Sequence, residues 1–525
     1  MRNRLLFLFT STALFTTALH AEVKPNPLFS DGAVLQRDQK LPVWGTARDG
    51  ETITVEFQGQ KATTIAADGK WSVLLDPLKA GGPFSMNVTG ENTVTIQNLL
   101  VGEVWIASGQ SNMNLVFSSA HNHPDEAPKA NYPEIRTFKV KVVVSAAPAE
   151  EAIGNWVACS PETVKDFSAV GYYFARDIHR KLGVPVGLIH SALGATPAQA
   201  WTSEAGLKSD PMLDEYVQNI RERTENFAAA TAAYPAALAK HEADLKTWEE
   251  TIGKAHKEKL AIWEATSALA EQNNQPLPRR PSPASRPPKA PKPPEGVSTD
   301  PAVLFNGMIA PLIPYGIKGV IWYQGESNRD KSAQYSTLFS SMITDWRSRW
   351  KQGDFPFLYV QVAPYADMTP EIREAQFLTI GKVKNCAMTV TTDVGDAKDI
   401  HPRKKEPVGQ RLAIAARALA YGEAIEYSGP LYDSMKVDNG KIMLQFKHTG
   451  GGLIAKDGPL RGFTIAGADK KFVPANAEIQ GDTIVVSADG ITHPVAARYG
   501  WANVPDVNLY NKEGLPASPF RSDTE

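Results

Sequence analysis

The sequence predicts an α/β protein flanked by small β domains, and three observations carry that prediction. From Val101 onward, apolar runs such as VGEVWIAS, VPVGLIHSAL, IKGVIWYQG, FPFLYVQVAP and CAMTVTTDVG alternate with helix-patterned stretches such as FSAVGYYFARDIHRKLG and EPVGQRLAIAARALAYG. Strands apolar on both faces and separated by helices belong to a mostly parallel sheet covered on each side. Before Val101 and after Glu426 the texture is different: short alternating runs divided by Asp-Gly and Gly-rich turns, as in small β-sandwiches. The length, 525 residues, exceeds what one core accommodates, so several domains are expected.

Taken in order, Arg2 and Arg4 precede the apolar stretch LLFLFTSTALFTTAL, which ends near the small residues Ala18 and Ala21. A positive start, a short apolar core and a small-residue cleavage site read as an export signal over residues 1–21, implying a secreted or periplasmic protein. The stretch is shorter than the roughly 20 apolar residues that span a bilayer, and no later segment is long and apolar enough. Residues 22–100 read as an N-terminal β-sandwich, 101–425 as the α/β domain and 426–525 as a C-terminal β domain whose aromatic tail packs back on the rest.

One region, 205–300, interrupts the α/β domain. Leu238, Leu245 and Ile252 recur every seven residues with Trp248 on the same face, which predicts a helical hairpin or short coiled-coil-like insertion. It runs into QPLPRRPSPASRPPKAPKPPEG, with nine prolines and five basic residues between Pro276 and Pro294. That density of proline forbids a helix or central strand and predicts an extended, polyproline II-like spacer.

Composition narrows the function. A formal net charge of −2 supplies no basic face for phosphates, which argues against nucleic acid as the main partner. Two cysteines, Cys159 and Cys386, make no disulfide framework and no CxxC zinc site; one bridge and two separate buried thiols both stay open.

In α/β sheets, sites form at the carboxyl ends of strands. Three segments put unusual polar residues there: VGEVWIASGQSNM with Ser111; GVIWYQGESN with Gln324, Glu326 and Asn328; and TTDVGDAKDIHPRKK with Asp393, Asp396, Asp399 and His401. Serine, histidine and aspartate at strand ends are the ingredients of acyl transfer, in which the imidazole takes the serine proton and a carboxylate stabilises the imidazolium. The G-x-S-x-G signature of α/β-hydrolases is missing, because Gly109-Gln110-Ser111-Asn112-Met113 lacks the second glycine.

Taken together, GQSNM, WYQGESN, DIHPRKK and VGQRLA, with LVGEVW, FNGMIAPLIPYGIKG, LFSDGAVLQRD and RYGWAN around them, resemble the sialate O-acetylesterase family of SGNH (GDSL-like) hydrolases over nearly the whole chain. The resemblance implies an SGNH-hydrolase, flavodoxin-like three-layer core with flanking small β-sandwich domains. It implies a serine esterase that hydrolyses acetyl esters on carbohydrates through an acetyl-enzyme, with no metal or cofactor and an O-acetylated carbohydrate as its partner. Sialate esters are the family's namesake substrate; plant polysaccharides such as acetyl-xylan or xyloglucan are the alternative, and an inactive glycan-binding protein is the rival from another class.

Carried over residue by residue, Ser111 matches the nucleophile and His401 the base. Asp399, two residues before His401 and on the same face of an extended segment, is the expected acid, with Asp396, Asp393 and a Ser–His dyad kept open. The block GATPAQAW makes Gly194 the expected oxyanion-hole amide beside that of Ser111, although Ala195 stands where relatives carry a second glycine. Gln324 is expected to add an amide donor, with Asn328 as the alternative. Glu326 is expected to hydrogen-bond the turn and hold the nucleophile loop. His121 and His123 read as a solvated loop rather than a metal pair, and Arg403, Lys404 and Lys405 as a solvated helix start. Trp105, Trp201, Trp322 and Tyr323 read as core, with Trp201 also a candidate wall for a sugar.

Overall fold

The computed structural model describes residues 22–273 and 275–523. The expected export signal at 1–21 lies outside the described residues. The centre of the molecule is a sheet of strands β1 (Thr93–Gly109), β2 (Tyr132–Lys139), β3 (Trp156–Cys159), β4 (Val186–Ala192), β5 (Gly319–Tyr323), β6 (Phe357–Val360) and β7 (Cys386–Thr389). Their spatial order is β3-β2-β4-β1-β5-β6-β7, all neighbours parallel except the antiparallel edge strand β3. Leaving aside β2 and β3 at the edge, β4-β1-β5-β6-β7 is the 2-1-3-4-5 order of a doubly wound sheet, whose ligand crevice lies at the C-terminal ends beside the first strand.

Alternation of side chains across the sheet explains its two covered faces. Ala107, Ile321, Leu358 and Ala387 pack with α1 (Ala169–Leu182) on one face. Ile106, Trp322, Tyr359 and Met388 point to the other, where the insertion begins. The insertion helix α2 (Asp214–Trp248) continues through a π-helical segment, Glu249–Gly253, into α3 (Lys254–Gln272). Then α4 (Ser332–Trp350) and α5 (Pro370–Ile380) cover this second face, and α6 (Glu406–Tyr421) returns beside α1.

The N-terminal β region is not set apart from this sheet. Thr52–Phe57, Gln60–Ile65 and Gly81–Thr89 form an antiparallel ladder that joins the first half of β1, so one 17-residue strand runs through the boundary expected at 100. Burial along β1 changes from alternating to continuous near Leu99, which is the change of texture visible in the sequence. The C-terminal region forms two four-stranded sheets and a short two-stranded one around their own core, including Ile442, Leu444, Phe463, Ile484 and Tyr499. Its tail does pack back: Arg521 makes a two-pronged ion pair with Glu374 of α5, and buried Arg373 donates to the carbonyls of Ala502 and Asn503.

The insertion is a single helix rather than the expected helical hairpin. From Asp214 to Gln272 it runs about 90 Å at 1.5 Å per residue. The proline-rich segment, expected as a spacer, lies back along it: Trp263 Nε1 donates to the Pro278 carbonyl, Trp248 Nε1 to that of Ser285, and Arg223 to that of Pro301. The spacing agrees with polyproline II. Trp263 and Trp248 lie about 22 Å apart on an α-helix, and Pro278 and Ser285 are also about 22 Å apart at 3.1 Å per residue. The heptad seam containing Leu245, Trp248 and Ile252 is half-buried by this strap instead of by a second helix.

Cys159 and Cys386 are both buried free thiols, and burial pushes each well above its ordinary pKa, to about 12 and about 11.

Candidate active site

Three strands end side by side and deliver the expected residues to one place. Register pairs Ala192 with Gly109 and Tyr323 with Gly109; Gln110 N donates to the Tyr323 carbonyl at 2.9 Å and Leu193 N to that of Gly109 at 3.1 Å. The chain can break out of β1 there because Gly109 sits at φ +133° and a Cβ would come 2.2 Å from Tyr323 O. Ser111 then opens the four-residue helix Ser111–Asn114. Gly194 lies directly over it, since a Cβ at 194 would stand 3.4 Å from Ser111 Cβ. Ala195 adopts φ +58°, the left-handed backbone that a glycine takes without strain.

The Ser111 hydroxyl meets His401 Nε2 at 2.8 Å across 290 residues of sequence. A hydroxyl so held can lose its proton to the imidazole as it attacks a carbonyl. Among the described residues, no protein group accepts from the backbone N–H of Ser111 or of Gly194, so two donors remain free beside that hydroxyl. Asp399 stands behind His401: its Oδ1 accepts from the His401 backbone N–H at 2.8 Å and lies 3.8 Å from Nδ1. The carboxylate therefore faces the ring at ion-pair rather than hydrogen-bond distance. Asp393 is taken up elsewhere, in a two-pronged ion pair with Arg411, and Asp396 accepts from the Lys398 amide in its own turn.

Gln324 departs from expectation. It is fully buried, and its Nε2 donates to the Thr196 carbonyl at 3.2 Å and to Asn328 Oδ1 at 2.7 Å while Oε1 accepts from the Tyr335 hydroxyl. Both of its N–H groups are engaged within the fold, so the free amide donor expected there is not available. Asn328 also serves the scaffold, accepting from Ala198 N and donating to Gln199 Oε1. Trp201 is likewise core and not a sugar wall: it is fully buried, with Nε1 on Thr196 Oγ1, and so holds the Gly194 loop from behind. His123 packs edge-on against Phe117, and the His121 amide donates to the Arg403 carbonyl.

Beneath the nucleophile lies a polar cluster that the sequence disclosed only in part. Glu326 holds the nucleophile loop, as expected, by accepting from Asn112 Nδ2 at 2.6 Å. Gln110 Oε1 accepts from the amides of Gly325 and Ser327, clamping the two turns together. Lys405 overturns the reading of a solvated basic run: Arg403 and Lys404 are exposed, but Lys405 is fully buried and donates to Asn112 Oδ1 at 2.5 Å. Burial pushes the Lys405 ammonium down to about 7, against the opposing pull of Glu326 and Asp399, and pushes the Glu326 carboxyl above its ordinary range. A pattern signal existed for Asn112 and Glu326, which flank the strand-end motifs, but none for Lys405.

Comparison with known proteins agrees with this assembly. The carbohydrate esterase family described as sialic acid-specific acetylesterase matches residues 101–236 and 306–418, leaving out most of the insertion. The sialate O-acetylesterase of Rattus norvegicus is 30% identical over 444 residues, covering 76% of this chain and 74% of the rat protein. That of Mus musculus is 28% identical over 542 residues, covering 93% of this chain and 92% of the mouse protein. Among solved structures, a carbohydrate acetylesterase from Xanthomonas citri is 34% identical with a TM-score of 0.77, covering 96% of this chain and 100% of its own. The chain belongs to the sialate O-acetylesterase family of carbohydrate esterases.

Proposed function

We propose that this protein is a serine esterase of the SGNH class that removes acetyl groups from O-acetylated carbohydrates, sialic acids first among them. The observation that carries the reading is the 2.8 Å contact between Ser111 Oγ and His401 Nε2 at the switch point of the sheet. In the first half-reaction Ser111 Oγ attacks the acetyl carbonyl and its proton passes to His401 Nε2. The oxyanion forms beside the free N–H groups of Ser111 and Gly194, each such donor being worth roughly 3–4 kcal/mol where removal has been measured. Collapse expels the sugar oxygen, which leaves with the proton from His401, and Ser111 is left acetylated. Water then gives a proton to His401 and attacks the acetyl ester; acetate departs and the serine recovers its proton.

Asp399 stabilises the imidazolium that exists in both half-reactions. Its 3.8 Å separation from Nδ1 fits a contact that tightens when substrate is bound. Residues 1–21 act as the export signal, which sends the enzyme to glycans outside the cytoplasm.

Purified protein is expected to release 4-nitrophenol from its acetate ester, and Ser111→Ala to lose this. A wild type as inert as Ser111→Ala would overturn the reading in favour of a glycan-binding role. Acetate released from acetylated sialosides but not from acetylated xylo-oligosaccharides would establish the substrate; the reverse preference would move it to plant polysaccharides.

A further inference from the structure

The side chain next to the nucleophile in sequence is also the one that ties the site together. Asn112 is 1% exposed, and groups from two distant segments converge on it. Its Nδ2 donates to Glu326 Oε1 at 2.6 Å and to the Ile400 carbonyl at 3.0 Å, and its Oδ1 accepts from Lys405 Nζ at 2.5 Å. The Ile400 carbonyl belongs to the peptide bond whose N–H, that of His401, is held by Asp399. The backbone carrying the imidazole is thus gripped on one edge by Asp399 and on the other by the residue that follows Ser111.

Resting on the esterase reading above, we propose that Asn112 is a positioning residue that sets the distance between Ser111 Oγ and His401 Nε2, and that Glu326 and Lys405 act by holding its amide in one orientation. The chemistry of the partners dictates that orientation. A carboxylate oxygen and a carbonyl oxygen, both acceptors, face Nδ2, whereas the Lys405 amino group, which donates, faces Oδ1. A flipped amide would set oxygen against two acceptor oxygens and lose both donations from Nδ2. Glu326 and Lys405 are 3% and 0% exposed, and burying two ionisable groups that each bond Asn112 is a poor way to stabilise a fold. What the contacts of Asn112 supply is one geometry for its amide, while Glu326 Oε2 is buried without a hydrogen-bond partner among the described residues. Here that geometry spans the two reacting side chains, where a misplacement of about 1 Å costs roughly 10²-fold in rate.

The test is Asn112→Asp, nearly isosteric, which replaces the Nδ2 donor with an oxygen facing Glu326 and the Ile400 carbonyl. With 4-nitrophenyl acetate, kcat is expected to fall about 10²-fold with KM within about twofold. Adding Glu326→Gln is expected to restore about tenfold of the loss, because its Nε2 can donate to the new carboxylate. If Asn112→Asp does not fold, Lys405→Met, which deletes only the donor to Oδ1, should show the same split between kcat and KM. A folded Asn112→Asp with kcat near wild type overturns the proposal, as does a double variant no better than Asn112→Asp alone. Either result leaves the esterase reading intact, whereas an inert wild type overturns both.

Discussion

The site and the insertion arm are assembled in opposite ways. At the site, single side chains connect distant segments: Asn112 joins Glu326, Ile400 and Lys405, and Ser111 meets His401. In the arm, one helix and the strap that follows it touch through Trp263 with Pro278 and Trp248 with Ser285. Near its root the arm meets the core, where Glu215 accepts from Lys331 and Gln334, and Tyr216 donates to Gln334. Substitutions in the first region should therefore act on geometry and rate, and those in the second on local order alone.

The largest expected effect comes from the two groups in direct contact. His401→Ala should lower kcat on 4-nitrophenyl acetate by about 10⁴-fold or more, as loss of a triad base does elsewhere. A loss under tenfold would mean that another base serves Ser111.

Next comes the pair of aspartates. Asp399→Asn should cost about 10–100-fold, less than the roughly 10⁴-fold seen where the carboxylate hydrogen-bonds the ring, because Oδ1 is 3.8 Å from Nδ1. Asp393→Asn should leave kcat within about twofold and cost at most about 1 kcal/mol of stability, the scale of a partly exposed ion pair. If Asp393→Asn were the more damaging to kcat, the assignment would be reversed.

Lys405 gives a smaller, pH-dependent effect on stability. Burial lowers its pKa from 10.5 to about 7, so between these values the unfolded chain holds a proton that the folded lysine has released. Stability contributed by this group therefore rises with pH across that window. Denaturant titrations from pH 7 to 10 should show the rise, and Lys405→Met should flatten it; an unchanged slope in the variant would show that Lys405 keeps its proton in the fold.

The smallest effect is expected from the arm. Replacing residues 230–295 with a short Gly/Ser link keeps the root contacts and should leave kcat/KM on 4-nitrophenyl acetate within about twofold. A tenfold loss would show that the arm's far half reaches the site.

These contrasts also explain what could be read in advance. Ser111 was legible because it is a polar residue where an apolar strand ends, and His401 because it lies in the polar loop that follows β7; the family resemblance names their roles. Lys405 was not, because Arg403 and Lys404 beside it are exposed and a run of three cations carries no sign of which one turns inward. Gln324 was read as a free donor because a strand-end amide looks the same in sequence whether its N–H groups point at substrate or at Thr196 and Asn328. The heptad seam of the insertion was read as a helical hairpin or coiled-coil-like pairing, but periodicity does not identify the partner, and the chain forms one helix with the strap beside it. An extended proline-rich strap can also offer a repeating face to such a seam. The boundary near 100 marked a change in burial inside one strand, since β1 is half-exposed in its first part and covered on both faces in its second.

The most direct test of the central claim is the fate of the acetyl group. Enzyme quenched during turnover of 4-nitrophenyl acetate and mapped by peptide mass spectrometry should carry one acetyl group, on Ser111, absent from Ser111→Ala and lost on further incubation. Acetate released by a wild type that is never acetylated, or an acetyl group that turns over on another residue, would contradict the account.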